Sequence, residues 1–314
     1  MAQALLAEPP AAAVNLRTSD ARRRRETRMR WLFKAAAIFT FAISIAILYI
    51  LIKDAFSFFV DVPKASLWEI GWFPRRGTFD LLTLFYGSLI VGLIAMLVAA
   101  PIGLGSAVYL SEYARPRVRR VLKPTLELLA SIPSVVLGYF AISFINPNLV
   151  VRFFPSSNHA FTLLAAGLAV GLLTTPLVAS VAEDALRAVP RELREASFGI
   201  GARRSTTAVR VVFPAAISGI MAALLLGIAR AVGETMVVAI AAGAVGGGLR
   251  TLDPLGPGQT LTAAMAALGF GSDQVAGNNL AFQSLYFLGF LLFVFTLGLN
   301  LLGDKLVRRL REEY

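Results

Sequence analysis

Cysteine is missing altogether from the 314 residues, so neither a disulfide framework nor thiolate chemistry is open to this chain. Histidine occurs once, at His159 in a polar connection, and there is no H-E-x-x-H pattern, which argues against a membrane metalloenzyme. No Gly-Lys dipeptide exists, so no Walker A phosphate loop can form, and any ATP-driven work must be done by another chain. Charge is scarce too: 16% of residues are charged, where soluble chains carry about a quarter. Hydrophobic residues make up 57%, and 30 Lys and Arg against 19 Asp and Glu leave a net charge of +11. Spread over one domain face, that excess would suit nucleic acid. Here it falls between long apolar runs, as in a positive-inside membrane protein. No nucleic-acid partner, metal or cofactor is expected.

Residues 1–30 are polar and then Arg-rich, with Arg22, Arg23, Arg24, Arg25, Arg28 and Arg30, and read as a disordered basic cytoplasmic tail. Six apolar stretches follow, at Trp31–Ile52, Leu81–Leu110, Pro124–Ile145, Phe161–Ala182, Ile217–Ala244 and Phe282–Leu302. Each is close to or above the ~20 residues that cross a hydrocarbon core. The expected fold is therefore all-α: a polytopic membrane protein of six transmembrane helices, with a permease domain over 31–302 and a cytoplasmic tail over 303–314. A shorter run, Leu261–Phe270, cannot span and reads as a re-entrant or surface helix. One face receives Lys and Arg from the tail (seven), 111–123 (five), 183–210 (six) and the C-terminus (four), 22 in all. The other face receives six: Lys53, Lys64, Arg75, Arg76, Arg152 and Arg250. The richer face is expected to be cytoplasmic. An even number of spans then places both termini there.

Three features inside or between the spans carry chemistry. Pro101, Pro133 and Pro176 break helices beside small or hydroxylated neighbours such as Ser131, Ser134, Thr174 and Thr175. Such bends are ordinary kinks of a packed bundle, or polar backbone lining a substrate path. Arg230 and Glu234 lie inside the fifth span, Arg230 about 20 Å along it from Ile217 at 1.5 Å per residue. An Arg there costs roughly 2.5–3.5 kcal/mol unless it faces the bundle or water. Four residues apart, the two are expected to share a face and pair. They lie beside a stripe of small residues, Gly219, Ala223, Gly227 and Ala231, that admits a neighbouring helix. The pair reads either as a structural brace or as an oxyanion site, since a guanidinium fork suits a tetrahedral anion. Ser134 and Thr235 are the hydroxyls placed with it on the pathway.

The third feature is the connection 183–214. It contains Glu195-Ala196-Ser197, then Gly201, then nine residues to Val211-Val212-Phe213-Pro214. Glu195, Ala196, Gly201 and Pro214 match the spacing of the EAA loop of ABC importer permeases, and Ser197, Val211 and Phe213 are conservative departures. A short helix of small residues can seat in a groove of another protein, and Gly201 permits a turn that a side chain would hinder. The alternative is a basic loop lying on anionic lipid.

Taken together, AVYLSEYA (107–114), LELLASIPSVVLGYFA (126–141), LRAVPRELREASFGIGA (186–202), VVFPAAISGI (211–220), ARAVGETMVV (229–238) and GPGQTLTAA (256–264) resemble the PstC-type permeases of phosphate-specific ABC importers. The A-type paralogues share several of these motifs, but GETMV stands here in place of their GETAP. The resemblance implies the MetI-like fold of type-1 importer permeases in a bacterial inner membrane. It further implies a heterodimer with an A-type phosphate permease subunit, a cytoplasmic ATPase dimer and an extracytoplasmic phosphate-binding protein. On the same ground Glu195, Ala196, Ser197, Gly201 and Pro214 couple to the ATPase. The rivals are a permease for molybdate, sulfate or phosphonate, and a gradient-driven secondary transporter.

Overall fold

The computed structural model describes residues 20–243, 247–269 and 279–310, and the chain divides into two compact units at Ile50/Leu51. Helix α1 (Asp20–Asp61) begins inside the stretch expected to be disordered, so residues 20–30 are helical; residues 1–19 lie outside the described residues. Along the first unit its large apolar side chains, Trp31, Phe33, Phe39 and Phe41 among them, are exposed, with Leu48 alone half-buried among the described residues. That is the surface of a helix whose solvent is lipid or another helix, not water.

The second unit is built on α5 (Leu163–Ala188), the most buried of the apolar helices. Helix α2 (Leu81–Val108) packs along it through glycines. A Cβ at Gly171 would lie 2.9 Å from the Ala95 carbonyl oxygen, so only glycine lets the two backbones come this close. Pro176 deprives α5 of one internal hydrogen bond, and Thr174 and Thr175 donate their hydroxyls to Val170 O and Gly171 O, each at 2.8 Å, beside the gap. On another face of α5 lies α8 (Ile217–Val232), whose small-residue stripe is the seam: Ala223 and Ala231 are buried and Gly219 abuts Ala185.

Among the described residues five helices are long and apolar enough to cross a membrane, six if the bent pair Arg204–Ala215 and Ile217–Gly233, angled at 73°, is taken as one span. The third span differs from expectation. Helix α3 (Pro116–Ala130) ends at Ser131, Pro133 breaks the chain, and α4 (Ser134–Phe140) opens a spanning segment that reaches Phe153. The apolar run Pro124–Ile145 thus joins the end of one helix to the start of another. Helix α10 (Leu261–Gly269) is largely buried, so the surface alternative for that run is withdrawn. Phe270 lies outside the described residues. The last helix, α11 (Asn279–Leu310), carries straight through residues 303–310, where a separate tail was expected.

At the Lys/Arg-poor end, strands β1 (Trp72–Phe73) and β2 (Thr78–Phe79) form a small antiparallel cap, and Trp72 also exchanges backbone bonds with Gly248. Phe58, Trp72, Phe79 and Phe287 pack beneath it with ring centroids 5.0–5.7 Å apart. The cap is tied down by Asp80, which is fully buried and caps α2 by accepting from Leu82 N. Arg250 donates to both carboxylate oxygens, at 3.1 and 2.8 Å, and Thr83 and Gly71 donate as well. Burial pushes this carboxyl up, but the bonds from Arg250, Thr83 and Gly71 outweigh it and hold the group below the usual carboxylate value. A depressed carboxyl contributes stability above its unfolded pKa, about 3.9, and loses it as pH falls through the folded value. The cap is therefore expected to hold unchanged between pH 7 and 5. Asp80→Asn should speed amide exchange over residues 71–80 roughly tenfold at either pH.

Candidate functional site

The fifth span is interrupted where its charges lie. Helix α8 stops at Val232; Gly233 and Glu234 still donate to Ala229 O and Ala231 O, but Thr235 leaves the helical path and α9 (Met236–Ala241) restarts beyond it. Residues 230 and 234 therefore no longer sit one turn apart on a single face. The expected Arg230–Glu234 pair is not formed, and among the described residues neither makes an ion pair. Glu234 is buried: its carbonyl accepts from the Thr262 hydroxyl at 2.7 Å, and its carboxylate oxygen takes a long contact of 3.5 Å from Val237 N. Thr260 and Thr262 hydroxyls meet at 3.2 Å behind it, and the Thr235 hydroxyl donates back to Gly233 O. Arg230 instead stands exposed on the surface of the subunit. In a span, a bare guanidinium needs water, an anion or a neighbouring polar surface against it.

Ser134 reaches the same level by a different route. Helices α4 and α8–α9 each run antiparallel to α5: Asn146, beyond α4, bonds Thr162 at the start of α5, while Gly219 meets Ala185 near its end and Thr162 N donates to Ala241 O. The two therefore run the same way, and Gly138 of α4 lies against Val237 and Ile240 of α9. One turn back from Gly138 is Ser134, at the height of the Glu234 break. It is half-buried, directly after Pro133, and its hydroxyl has no partner among the described residues. Glu234, Thr235 and Ser134 thus lie at one level, with Arg230 the exposed charge about one turn before the break.

The second candidate surface is the loop after α5. Helix α6 (Arg191–Gly199) ends in a Schellman turn: Gly201 donates to Phe198 O and Ala202 to Ser197 O, with Gly201 at φ +83°. Nothing crowds Gly201, so its left-handed backbone is what requires glycine there. Ser197 turns inward, its hydroxyl 2.9 Å from that of Thr207 in α7 (Arg204–Thr207). Glu195 and Ala196 face outward beside Phe198 and Ile200, which are 45% and 88% exposed. Two large apolar side chains on a polar helix mark a contact face. Pro214 is exposed at the bend that leads from this loop into α8.

Sequence reasoning missed the anchors of this loop. Arg194 donates to Leu186 O and Val189 O at the end of α5 and to the Glu112 carboxylate beyond α2, at 2.7–3.0 Å. In the sequence its only signal is its place beside Glu195. Glu183, read as the first loop residue, is fully buried in the last turns of α5 and pairs with Arg119 and Lys123 of α3. An acid at the close of an apolar run was the one available signal.

Residues 99–312 match the family described as "Binding-protein-dependent transport system inner membrane component". The chain is 34% identical over 223 residues to the "Probable ABC transporter permease protein YqgH" of Bacillus subtilis, covering 69% of this chain and 72% of that one. It is 30% identical over 261 residues to the "Phosphate transport system permease protein PstC" of Xylella fastidiosa, covering 77% and 78%. Its likeness to "PstA 1" of Mycobacterium tuberculosis is 39% but spans 55% of this chain and 54% of that one. Among solved structures, a MetNI methionine ABC transporter in an inward-facing conformation aligns with a TM-score of 0.54 at 19% identity, over 73% of this chain and 94% of that one. That likeness concerns the fold alone.

Proposed function

Because the chain belongs to the family of binding-protein-dependent transport system inner membrane components, we propose that it is the C-type membrane subunit of an ATP-driven importer of inorganic phosphate. It is a transport component and not an enzyme. The phosphate assignment is supported by relatives named for phosphate transport over three quarters of the chain. The mechanism rests on one observation: Arg230 is exposed within a turn of the break in its own span and makes no ion pair among the described residues. An A-type partner packed on this face would enclose the guanidinium in a shared pathway, where its planar fork suits a tetrahedral oxyanion. Ser134 and Thr235 would supply neutral hydroxyls beside it. Glu234, held by Thr262 and α9, would keep the break open instead of pairing with Arg230.

Coupling follows from the loop. The exposed face of α6, with Glu195, Ala196, Phe198 and Ile200, would seat in a cytoplasmic ATPase dimer. Arg194 and Ser197 fasten α6 to the ends of α2 and α5 and to α7, so that a push on α6 reaches the bundle as a rigid displacement. Both termini are assigned to the cytoplasm and the membrane to the bacterial inner membrane. An extracytoplasmic phosphate-binding protein would then deliver substrate to the end capped by Asp80 and Arg250.

The test is uptake of labelled phosphate in cells lacking their own C-type permease, with this chain expressed beside its A-type and ATPase partners. Uptake should be restored and should stop when the ATPase is inactivated. Restoration of molybdate but not phosphate uptake would overturn the substrate. Transport by the purified chain without an ATPase would overturn the class. Since the chain has no cysteine, Glu195→Cys gives a single label site that should react only from the cytoplasmic side.

A further inference from the structure

Helix α3 is built inside out. Val118, Val121, Leu128 and Leu129 are exposed, while Arg119 and Lys123 turn toward α5 and reach its buried Glu183. Between α3 and the end of α2 lies a polar cleft of about 630 Å³ lined by Arg119, Arg120, Lys123 and Arg187, with Glu127 the sole acid on its wall. Glu183 and Asp184 neutralise Arg119 and Lys123. Arg120 and Arg187 make no ion pair or hydrogen bond among the described residues, and Arg119 Nε is buried without a partner. The cleft therefore presents, in Arg120 and Arg187, cations that no acid among the described residues pairs.

A second cleft continues from it. Leu110 borders both, and the second, about 460 Å³, runs between α2 and α3 along Pro101, Ile102, Tyr109, Leu122 and Leu126. Both clefts border the spanning helix that runs from Leu81 to Tyr113, and the cationic one lies at its last turns, the Lys/Arg-rich end. Pro101 lies ten residues before Ser111, about 15 Å back along the helix toward its middle at 1.5 Å per residue. A cationic pocket at the interface joined to an apolar groove running inward has the shape and polarity of one phospholipid.

We propose that this composite cleft binds an anionic phospholipid of the leaflet at the Lys/Arg-rich end. The headgroup phosphate lies on Arg120 and Arg187, with Arg119 Nε beside it, and an acyl chain lies against Ile102, Leu122 and Leu126. The apolar groove distinguishes this ligand from free phosphate, which has no use for it. Bound lipid would wedge α2 against α3, next to Glu112 and the Arg194 anchor, and so would stiffen the base of α6.

The experiment is native mass spectrometry of the purified full-length chain, titrated with phosphatidylglycerol or phosphatidylcholine. Phosphatidylglycerol should be retained about tenfold more strongly, and the double variant Arg120→Gln/Arg187→Gln should lose that preference by about the same factor. Arg117→Gln, which does not line the cleft, should bind as wild type. Leu126→Trp, which fills the groove and leaves every cation in place, should also lose the lipid. A thermal melt equal to wild type keeps each variant interpretable. Equal retention of both lipids, or undiminished binding by the double variant, would overturn the proposal. Displacement of phosphatidylglycerol by millimolar inorganic phosphate would overturn it too, leaving a simple anion cleft.

Discussion

Arg230→Gln is expected to cut phosphate uptake about a hundredfold while leaving the subunit's melting temperature unchanged or slightly raised, because losing a charged contact to a bound anion costs roughly 2–5 kcal/mol. The two halves of this result separate the readings left open by the sequence. A bracing arginine would be paired, and its removal would strand a buried acid and lower stability. Here the guanidinium is exposed and makes no ion pair among the described residues, while Thr262 holds the Glu234 carbonyl and Val237 N touches its carboxylate. Taking a solitary charge out of a span relieves a cost of about 2.5–3.5 kcal/mol wherever lipid meets it. Arg230→Lys keeps the charge but not the fork and should fall between the two. Uptake at wild-type level by Arg230→Gln would reduce this residue to scaffolding.

Much of this arrangement was legible in the chain because its causes are local. Apolar length locates the spans, and the excess of Lys and Arg sorts their connections. The spacing from Glu195 to Pro214 marks α6 and the bend after it. What could not be read depends on partners far along the chain. Arg230 and Glu234 have the right interval for a helical pair, yet Gly233 ends the helix between them and Thr262 takes the Glu234 carbonyl from 28 residues away. The apolar run Pro124–Ile145 has span-like composition, but Pro133 lies inside it and Glu183 draws the charged face of α3 onto α5. Asp80 and Arg250, separated by 170 residues, gave no signal as a pair.

Glu183→Gln should then be the most damaging change outside the pathway, costing about 3 kcal/mol or more. Its carboxylate is fully buried, with Lys123 Nζ donating at 2.9 Å and Arg119 Nη2 in ionic contact at 2.6 Å. Replacing it leaves partly buried Arg119 facing an uncharged amide and Lys123 with the exposed Asp184 alone. Asp184, 62% exposed, bonds the same lysine but sits in water, so Asp184→Asn should cost under about 0.5 kcal/mol. Burial pulls the Lys123 ammonium down, but the bonds to Asp184 and Glu183 outweigh it and hold it above the usual lysine value. A raised amine stabilises fully below its unfolded pKa and loses that contribution as pH rises through the folded one. Wild type and Asp184→Asn should accordingly melt alike from pH 6 to 9, whereas Glu183→Gln should melt lower throughout, with amide exchange accelerated across α3. Glu183 also sits between the proposed pathway and the proposed coupling loop, since α3 leads through Pro133 to Ser134 while the end of α5 accepts bonds from Arg194 of α6. Its loss should lower uptake in the surviving folded protein as well as stability. If stability fell but uptake per folded subunit stayed at the wild-type level, α3 would be a passive strut and the force from α6 would travel through α5 alone.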